Sequence, residues 1–547
     1  MDNKRLIVFI IFSLSVLLLW QKWQVVQAPA PQQSKIAESV APAPDEKLTG
    51  KAAPAVRGPV DTGTELKAGQ TVHVRTDVMD VDISTIGGDL RRLDLLKYHN
   101  SRDPGKPYSF FHSDDGRVYV AQSGLIGAGL PTHKAVFTSK SLQYDLKPGE
   151  DSLQVTLEGP ESAGFRVEKT YTFHRGNYVI DVSYDISNLG SSAIQPYAYF
   201  QLLRDGEAPQ GDTRFAKTYT GVGVYTEKSK FVKEDFHEIA KGKLEYPSND
   251  DNGWIAMIQH YFVSAWLPQQ NIKREYYTKQ VGSDLYSAGV VLPVGSIQSG
   301  KDARITVPLY VGPQEQKLLA KLAPGLDLVV DYGWVTIIAK PLFWVLSTFY
   351  KWVQNWGVAI ILLTVCIKLL FFPLSAASYK SMAKMRALNP KLQMLKEQYG
   401  EDKQRMNQAM MELYKTEKVN PLGGCLPIVV QIPVFIALYT VLLTSVELRN
   451  APFLLWIKDL SIPDPYYVLP LVMGVTMLLQ TKMNPTPPDP IQAKVMQIMP
   501  IAMSIFFFFF PAGLVLYWLV NNILSISQQW YITRMIGKET AALNGKR

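Results

Sequence analysis

The chain has 547 residues, of which 47% are hydrophobic and 19% charged, and a formal net charge of +8. This balance excludes a uniform globule: the first part holds most of the polar sequence, while nearly all the long apolar runs lie beyond about residue 331. The basic excess sits at the flanks of apolar runs rather than on a groove with interleaved aromatics, which argues against direct nucleic-acid binding.

In chain order, Lys4 and Arg5 precede an apolar run over residues 6–20, the pattern of an export signal. Cleavage near the small residues Ala28 and Ala30 and retention as an anchor are both open, and Trp20 and Trp23 favour retention, so 1–27 reads as a transmembrane signal anchor. Residues 28–60, rich in Ala, Pro, Gln and Lys, read as a flexible linker. From 61 to 326 short runs alternate with period two, as in Thr71-Val-His-Val-Arg and Leu153-Gln-Val-Thr-Leu, between Gly, Pro, Asn and Asp. This predicts an exported all-β sandwich. Neither cysteine lies in it, since Cys366 and Cys425 both belong to the apolar part, so the domain folds without disulfides. His112, Asp114 and Asp115 cluster there as either a sugar site or a polar turn, and the turn is the favoured reading. No zinc-type His spacing or serine elbow stands out.

Residues 327–353 are aromatic and apolar but interrupted by Lys340, Pro341 and Lys351. If they crossed the bilayer, the basic connector beyond Pro373 would emerge on the outer side, so they are read as an interfacial helix with Trp334, Trp344, Tyr350 and Trp352 at head-group level. Five spans follow, at about 355–373, 422–443, 466–480, 495–510 and 513–531, which with the anchor makes six. Both termini then lie in the cytoplasm with the connector 375–420, which carries Lys380, Lys384, Arg386, Lys391 and Lys396. That connector reads as a helical hairpin broken near Asn389-Pro390 and turning at 400–402, with Met385 and Met394 among its charges. An adaptable methionine contact surface and a plain solvated hairpin near anionic lipid fit it equally.

Polar residues inside the spans mark where function sits, because a charge at bilayer depth costs roughly 2.5 to 3.5 kcal/mol. Lys368 is the only full charge well inside a span, with Thr364 one turn earlier, Gln431 on the next span, and Tyr517, Trp518, Asn522, Ser525 and Gln529 along the last. These fall mostly in the cytoplasmic half, whereas the outer half holds the run of residues 506–510, so the pattern predicts a hydrated cavity open to the cytoplasm and closed outside. Snorkelling of Lys368 toward the nearby membrane surface is the alternative.

The strings Lys418-Val-Asn-Pro-Leu-Gly-Gly-Cys-Leu-Pro427, Gln431-Ile-Pro-Val-Phe435, Asp464-Pro-Tyr-Tyr-Val-Leu-Pro470 and Phe510-Pro-Ala-Gly-Leu-Val-Leu-Tyr517 resemble the YidC/Oxa/Alb family of membrane protein insertases. The resemblance covers essentially the whole chain and is most specific in the apolar part. It implies a non-enzymatic, cofactor-free insertase and chaperone of the bacterial inner membrane: a five-helix core at 354–533, a short basic cytoplasmic tail at 534–547 and a periplasmic β-sandwich. Its implied partners are nascent inner-membrane proteins, the Sec translocon, the lipid bilayer, and the signal recognition particle with its receptor and the ribosome. The family's groove charge, usually Arg, falls on Lys368, its polar partner on Gln431, its Thr on Thr364 and its aromatic pair on Tyr517 and Trp518. Lysine keeps the charge but loses the planar fork that grips a carboxylate with two donors. No G-x-x-x-x-G-K-[ST] phosphate loop occurs. Partitioning of a client span, worth roughly 6 to 12 kcal/mol, then drives insertion. A transporter and a membrane-anchored carbohydrate enzyme are the rival classes.

Overall fold

A computed structural model describes residues 66–544 apart from 67–68, 101–102, 104, 115, 161–163, 210–217, 243–245, 400–401, 418–425 and 485–489. The expected anchor and linker, Asp115, most of the hairpin turn and the first part of the 418–427 motif lie outside the described residues. All the described strands and most of the described helices lie in one compact unit, Val56–Pro485 with Pro500–Arg547.

Residues 71 to 313 form two mainly antiparallel sheets. One runs from Asn249–Asp250 through Arg274–Gly282, Leu285–Pro293, Tyr197–Asp205, Tyr119–Ile126, Leu90–His99 and Met79–Ser84 to Thr71–Arg75 and Gln143–Asp145. The other centres on Trp254–Gln259, Phe262–Trp266, Asp302–Pro313 and Val179–Asn188. In Thr71–Arg75 the alternation is kept, Val72 and Val74 being fully buried, because one face meets the core and the other water. Inner strands such as Trp254–Gln259 are buried throughout. The sheets are tied across the core where Tyr119 Oη lies 2.6 Å from Ser264 Oγ and Gln259 Nε2 donates to Tyr108 Oη at 3.0 Å. His112 and Asp114 sit in a turn, with His112 bridged to the Tyr119 backbone and the Asp114 carbonyl accepting from Arg117 N–H. Both also line a cavity of about 590 Å³ with Asp82 and Arg92.

The helical part comprises α1 (Thr336–Val353), α2 (Trp356–Leu370), α3 (Phe372–Ala387), α4 (Asn389–Tyr399), α5 (Lys403–Thr416), α6 (Leu426–Thr444), α7 (Val468–Met483), α8 (Pro490–Phe506) and α9 (Ala512–Asn544). α1 buries Ala339, Phe343 and Leu346 at helical spacing against α2 and α6, and Ile337, Trp344 and Trp352 stay exposed on its other side. Where the sequence ran a span to Pro373, the helix stops at Leu370. Phe371 leaves helical geometry, Pro373 opens α3 without an N–H to donate, and the two axes meet at 65°. α9 runs well beyond the expected end at 531, so most of the presumed tail is helical. No single described helix is long and apolar enough to cross a membrane, although the bent pair α2 and α3 passes that test together.

The sandwich and the helices are joined around the end of α6. His260 Nε2 donates to the Leu443 carbonyl at 3.0 Å. Arg449 donates to the His99 carbonyl at 2.7 Å, and its guanidinium lies 4.9 Å from the Tyr108 ring centre and 5.3 Å from that of Phe262.

Candidate functional site

α2, α3, α6, α7 and α9 enclose a cavity of about 310 Å³. Lys368 reaches it from the last turn of α2, where it is only 7% exposed while Leu369 and Leu370 beside it are 66% and 73% exposed. Its ammonium donates to Ser525 Oγ on α9 at 2.7 Å. The amine is thus turned into the bundle, away from the outward face that its leucine neighbours share, and this geometry is the opposite of snorkelling.

The other walls continue this polarity. Gln431 on α6 donates through Nε2 to Asn521 Oδ1 at 2.8 Å, and Ser525 Oγ donates to the Asn521 carbonyl at 2.7 Å. Lower on α9, Gln529 Nε2 donates to Asn484 Oδ1 at 3.1 Å, which ties the end of α7 to the stripe. Among the described residues Trp518 Nε1 and Asn522 Nδ2 are buried without a protein acceptor, and both residues line the cavity. The free donors suit carbonyl or carboxylate oxygens.

Aromatic rings cluster around Trp518, which lines the cavity together with Phe435. Phe435 meets Trp518 edge-on at 4.6 Å, Phe507 lies 5.5 Å from Trp518 and 5.4 Å from Phe510, and Tyr439 lies 6.2 Å from Phe510. Beyond the rings, residues 446–467 pack over the helix ends. The Leu460 and Ile462 carbonyls accept from Gly513 N–H at 2.9 Å and Ala512 N–H at 2.8 Å, and Asn355 Nδ2 donates to the Phe453 carbonyl at 3.0 Å. Asp464 fixes this segment by accepting from Trp456 Nε1, Tyr466 N–H and Leu469 N–H at 2.8 to 3.0 Å, which gives the Asp-Pro-Tyr-Tyr string a physical role.

Of the residues the sequence singled out, Lys368, Gln431, Tyr517, Trp518, Asn522 and Ser525 line this one cavity. Thr364 is not among its lining residues: it is buried and donates to the Ile360 carbonyl of its own helix at 2.7 Å. On the hairpin, Lys380, Lys384, Arg386 and Lys391 are exposed, with Lys391 paired to Glu417 at 2.5 Å. Met394 is 60% exposed, while Met385 is half-buried. Sequence reasoning did not bring Ser375, Ser378, Tyr379 or Met382 of α3 to the cavity, which they also line. Their spacing of three, four and seven residues is a helical face that the cations around it obscured.

The family profile for the YidC periplasmic domain matches residues 71–345, and that for the 60Kd inner membrane protein matches 348–539. The chain is 56% identical over 555 residues to a membrane protein insertase YidC of Nitrosospira multiformis, covering 98% of each, and 55% identical over 551 residues to one of Methylobacillus flagellatus, covering 100% of this chain and 99% of that one. Its structure also resembles a crystal structure of an active YidC insertase with the first transmembrane domain resolved, at 17% identity and a TM-score of 0.41, covering 85% of this chain and 93% of that one.

Proposed function

From the premise that this chain belongs to the YidC family of membrane protein insertases, non-enzymatic proteins of the inner membrane with a periplasmic domain and nascent membrane proteins as clients, we propose that the Lys368 cavity is the client's way in. The polar tail of a client enters it from the cytoplasm while the client's apolar helix slides toward lipid. What supports this reading is the arrangement of the polar and aromatic groups, with the Lys368 ammonium held against Ser525 and a cluster of Phe435, Phe507 and Trp518 further along α9. A pore would need polar lining past that cluster. Half-depth hydration lowers the barrier for a polar tail without opening a leak.

The topology that serves this function has six spans, the N-terminal anchor at 1–27 followed by α2, α6, α7, α8 and α9, with both termini cytoplasmic. The linker at 28–60, the sandwich at 61–326, the interfacial helix within 327–353, the core at 354–533 and the tail at 534–547 follow from it. The exposed face of α1, with Trp344 65% and Trp352 73% exposed, supports an interfacial position. α2 has 15 residues, a length of roughly 22 Å against a hydrocarbon core of roughly 30 Å, so the bilayer thins beside the cavity and the client's path shortens. The hairpin, through Lys380, Lys384, Arg386, Lys391, Met385 and Met394, receives the client or its carriers, among them the Sec translocon, the signal recognition particle with its receptor, and the ribosome.

Crosslinking tests this proposal. Photoreactive probes at Gln431 and Trp518 should capture a stalled nascent membrane protein at successive chain lengths, with a probe at Thr364 capturing less. Capture only at lipid-facing positions such as Leu370 contradicts the proposed route.

A further inference from the structure

A second cavity, of about 350 Å³, lies where the sandwich meets the end of α6. One side is polar, with Lys233 and Asp331 in direct contact, and another is the end of α6, with Thr440 and Leu443. Lys233 uses one of its three donors on Asp331 and stands 4.7 Å from the centre of the Tyr219 ring, and Asp331 also accepts from Gly333 N–H at 2.7 Å. Burial pushes the Asp331 carboxyl up, but the Lys233 and Gly333 hydrogen bonds outweigh it and hold the group below the ordinary range, so the pair presents both charges to the cavity. Next to it in the chain, Trp334 and Ile337 are 76% and 86% exposed, an apolar edge suited to lipid.

We propose that this cleft binds the head group of a zwitterionic aminophospholipid of the outer leaflet, with the phosphate on Lys233, the ammonium on Asp331, and an acyl chain leaving along Leu443 and α6. The choice among lipids follows from charge. Lys233 and Asp331 cancel, so an anionic head group would leave Asp331 facing a phosphate without compensation. A choline head group carries no N–H to donate to the carboxylate. An ethanolamine head group completes an alternating set of four charges. The occupied cleft ties the sandwich to the membrane surface at the junction that His260 and Arg449 already hold.

This inference goes beyond the client route but rests on the outer end of α6 lying at the outer lipid boundary. Quenching by lipids brominated in the upper acyl chain, read on a fluorophore attached to a single cysteine at 334 in a chain with Cys366 and Cys425 replaced by serine, tests that placement separately. The binding experiment uses the full chain in nanodiscs of equal parts phosphatidylethanolamine, phosphatidylglycerol and phosphatidylcholine, with retained lipids counted by native mass spectrometry. Ethanolamine lipid should be enriched roughly fivefold. D331N should abolish its preference over choline lipid, K233Q should weaken retention, and T440W, which fills the cleft and leaves the ion pair intact, should remove it. Quenching at 334 with no enrichment, or enrichment unchanged in either D331N or T440W, overturns the site alone. No quenching at 334 overturns the placement and the site with it.

Discussion

Reversing the charge at Lys368 examines the role of the cavity most sharply. The amine is buried, points at Ser525 from 2.7 Å, and has no acidic side chain among the cavity-lining residues to balance it, so an incoming carboxylate would be its natural counter-charge. At a separation of roughly 4 Å the attraction is about 1 kcal/mol in fully hydrated surroundings and about 4 kcal/mol at the effective dielectric of a protein surface. K368E turns attraction into repulsion, a swing of at least about 2 kcal/mol, or roughly 30-fold in rate for each acidic residue that must pass. K368Q should lose about half of that free energy, and K368R should stay near the wild type. The assay is insertion into reconstituted vesicles of two clients that differ only in having acidic or neutral residues in the translocated tail. K368E should slow the acidic client by that factor and leave the neutral one within about twofold. Equal slowing of both clients, or of neither, refutes the electrostatic role.

Three further outcomes concern the end of the helical part that meets the sandwich. Burial above all, with repulsion from Glu315, pushes the Glu447 carboxyl from about 4.5 up to about 7, so it stays protonated in the folded protein over a range where the unfolded chain has ionised. Its contribution is therefore complete below pH 4.5 and is lost as the pH rises to about 7, at most about 3 kcal/mol, and thermal melting of E447Q should show a flatter profile across that window. A Cβ on Gly357 would stand 2.0 Å from the Phe453 ring, so G357A should cost about 1 to 3 kcal/mol in denaturant unfolding, and F453A in the same chain should recover part of it. R449A removes the hydrogen bond to His99 and the ring contacts, about 2 kcal/mol of docking, seen as faster hydrogen exchange around Leu448, with R449K recovering only part because an ammonium lacks the planar stack.

How much of this was legible in the residues depends on which physical signal each feature leaves. Strands with one wet face, such as Thr71–Arg75 and Ser152–Glu158, carry their alternation openly. Trp254–Gln259, covered throughout, does not. Lys368, Gln431 and the α9 stripe stand out because polarity is rare in apolar helices. The wall supplied by α3 stayed hidden, since its cations drew attention to the water-facing side and the 65° bend that brings Ser378 and Tyr379 under the bundle is a tertiary event. Thr364 shares a helical face with Lys368, yet its hydroxyl finds a carbonyl on its own helix, a competition that spacing alone cannot decide. The packing of residues 446–467 over the helix ends depends on backbone hydrogen bonds from Ala512 and Gly513, which leave no periodic trace.

On the proposed client route, water reaches the polar stripe from the cytoplasmic side alone. In a chain with Cys366 and Cys425 replaced by serine, single cysteines at Asn484, Asn522 and Phe507 can be challenged with a membrane-impermeant maleimide added to one face at a time. Labelling at 484 and 522 from inside only, and none at 507 from either face, is the expected result. Silence at 522, or labelling there from both faces, contradicts it.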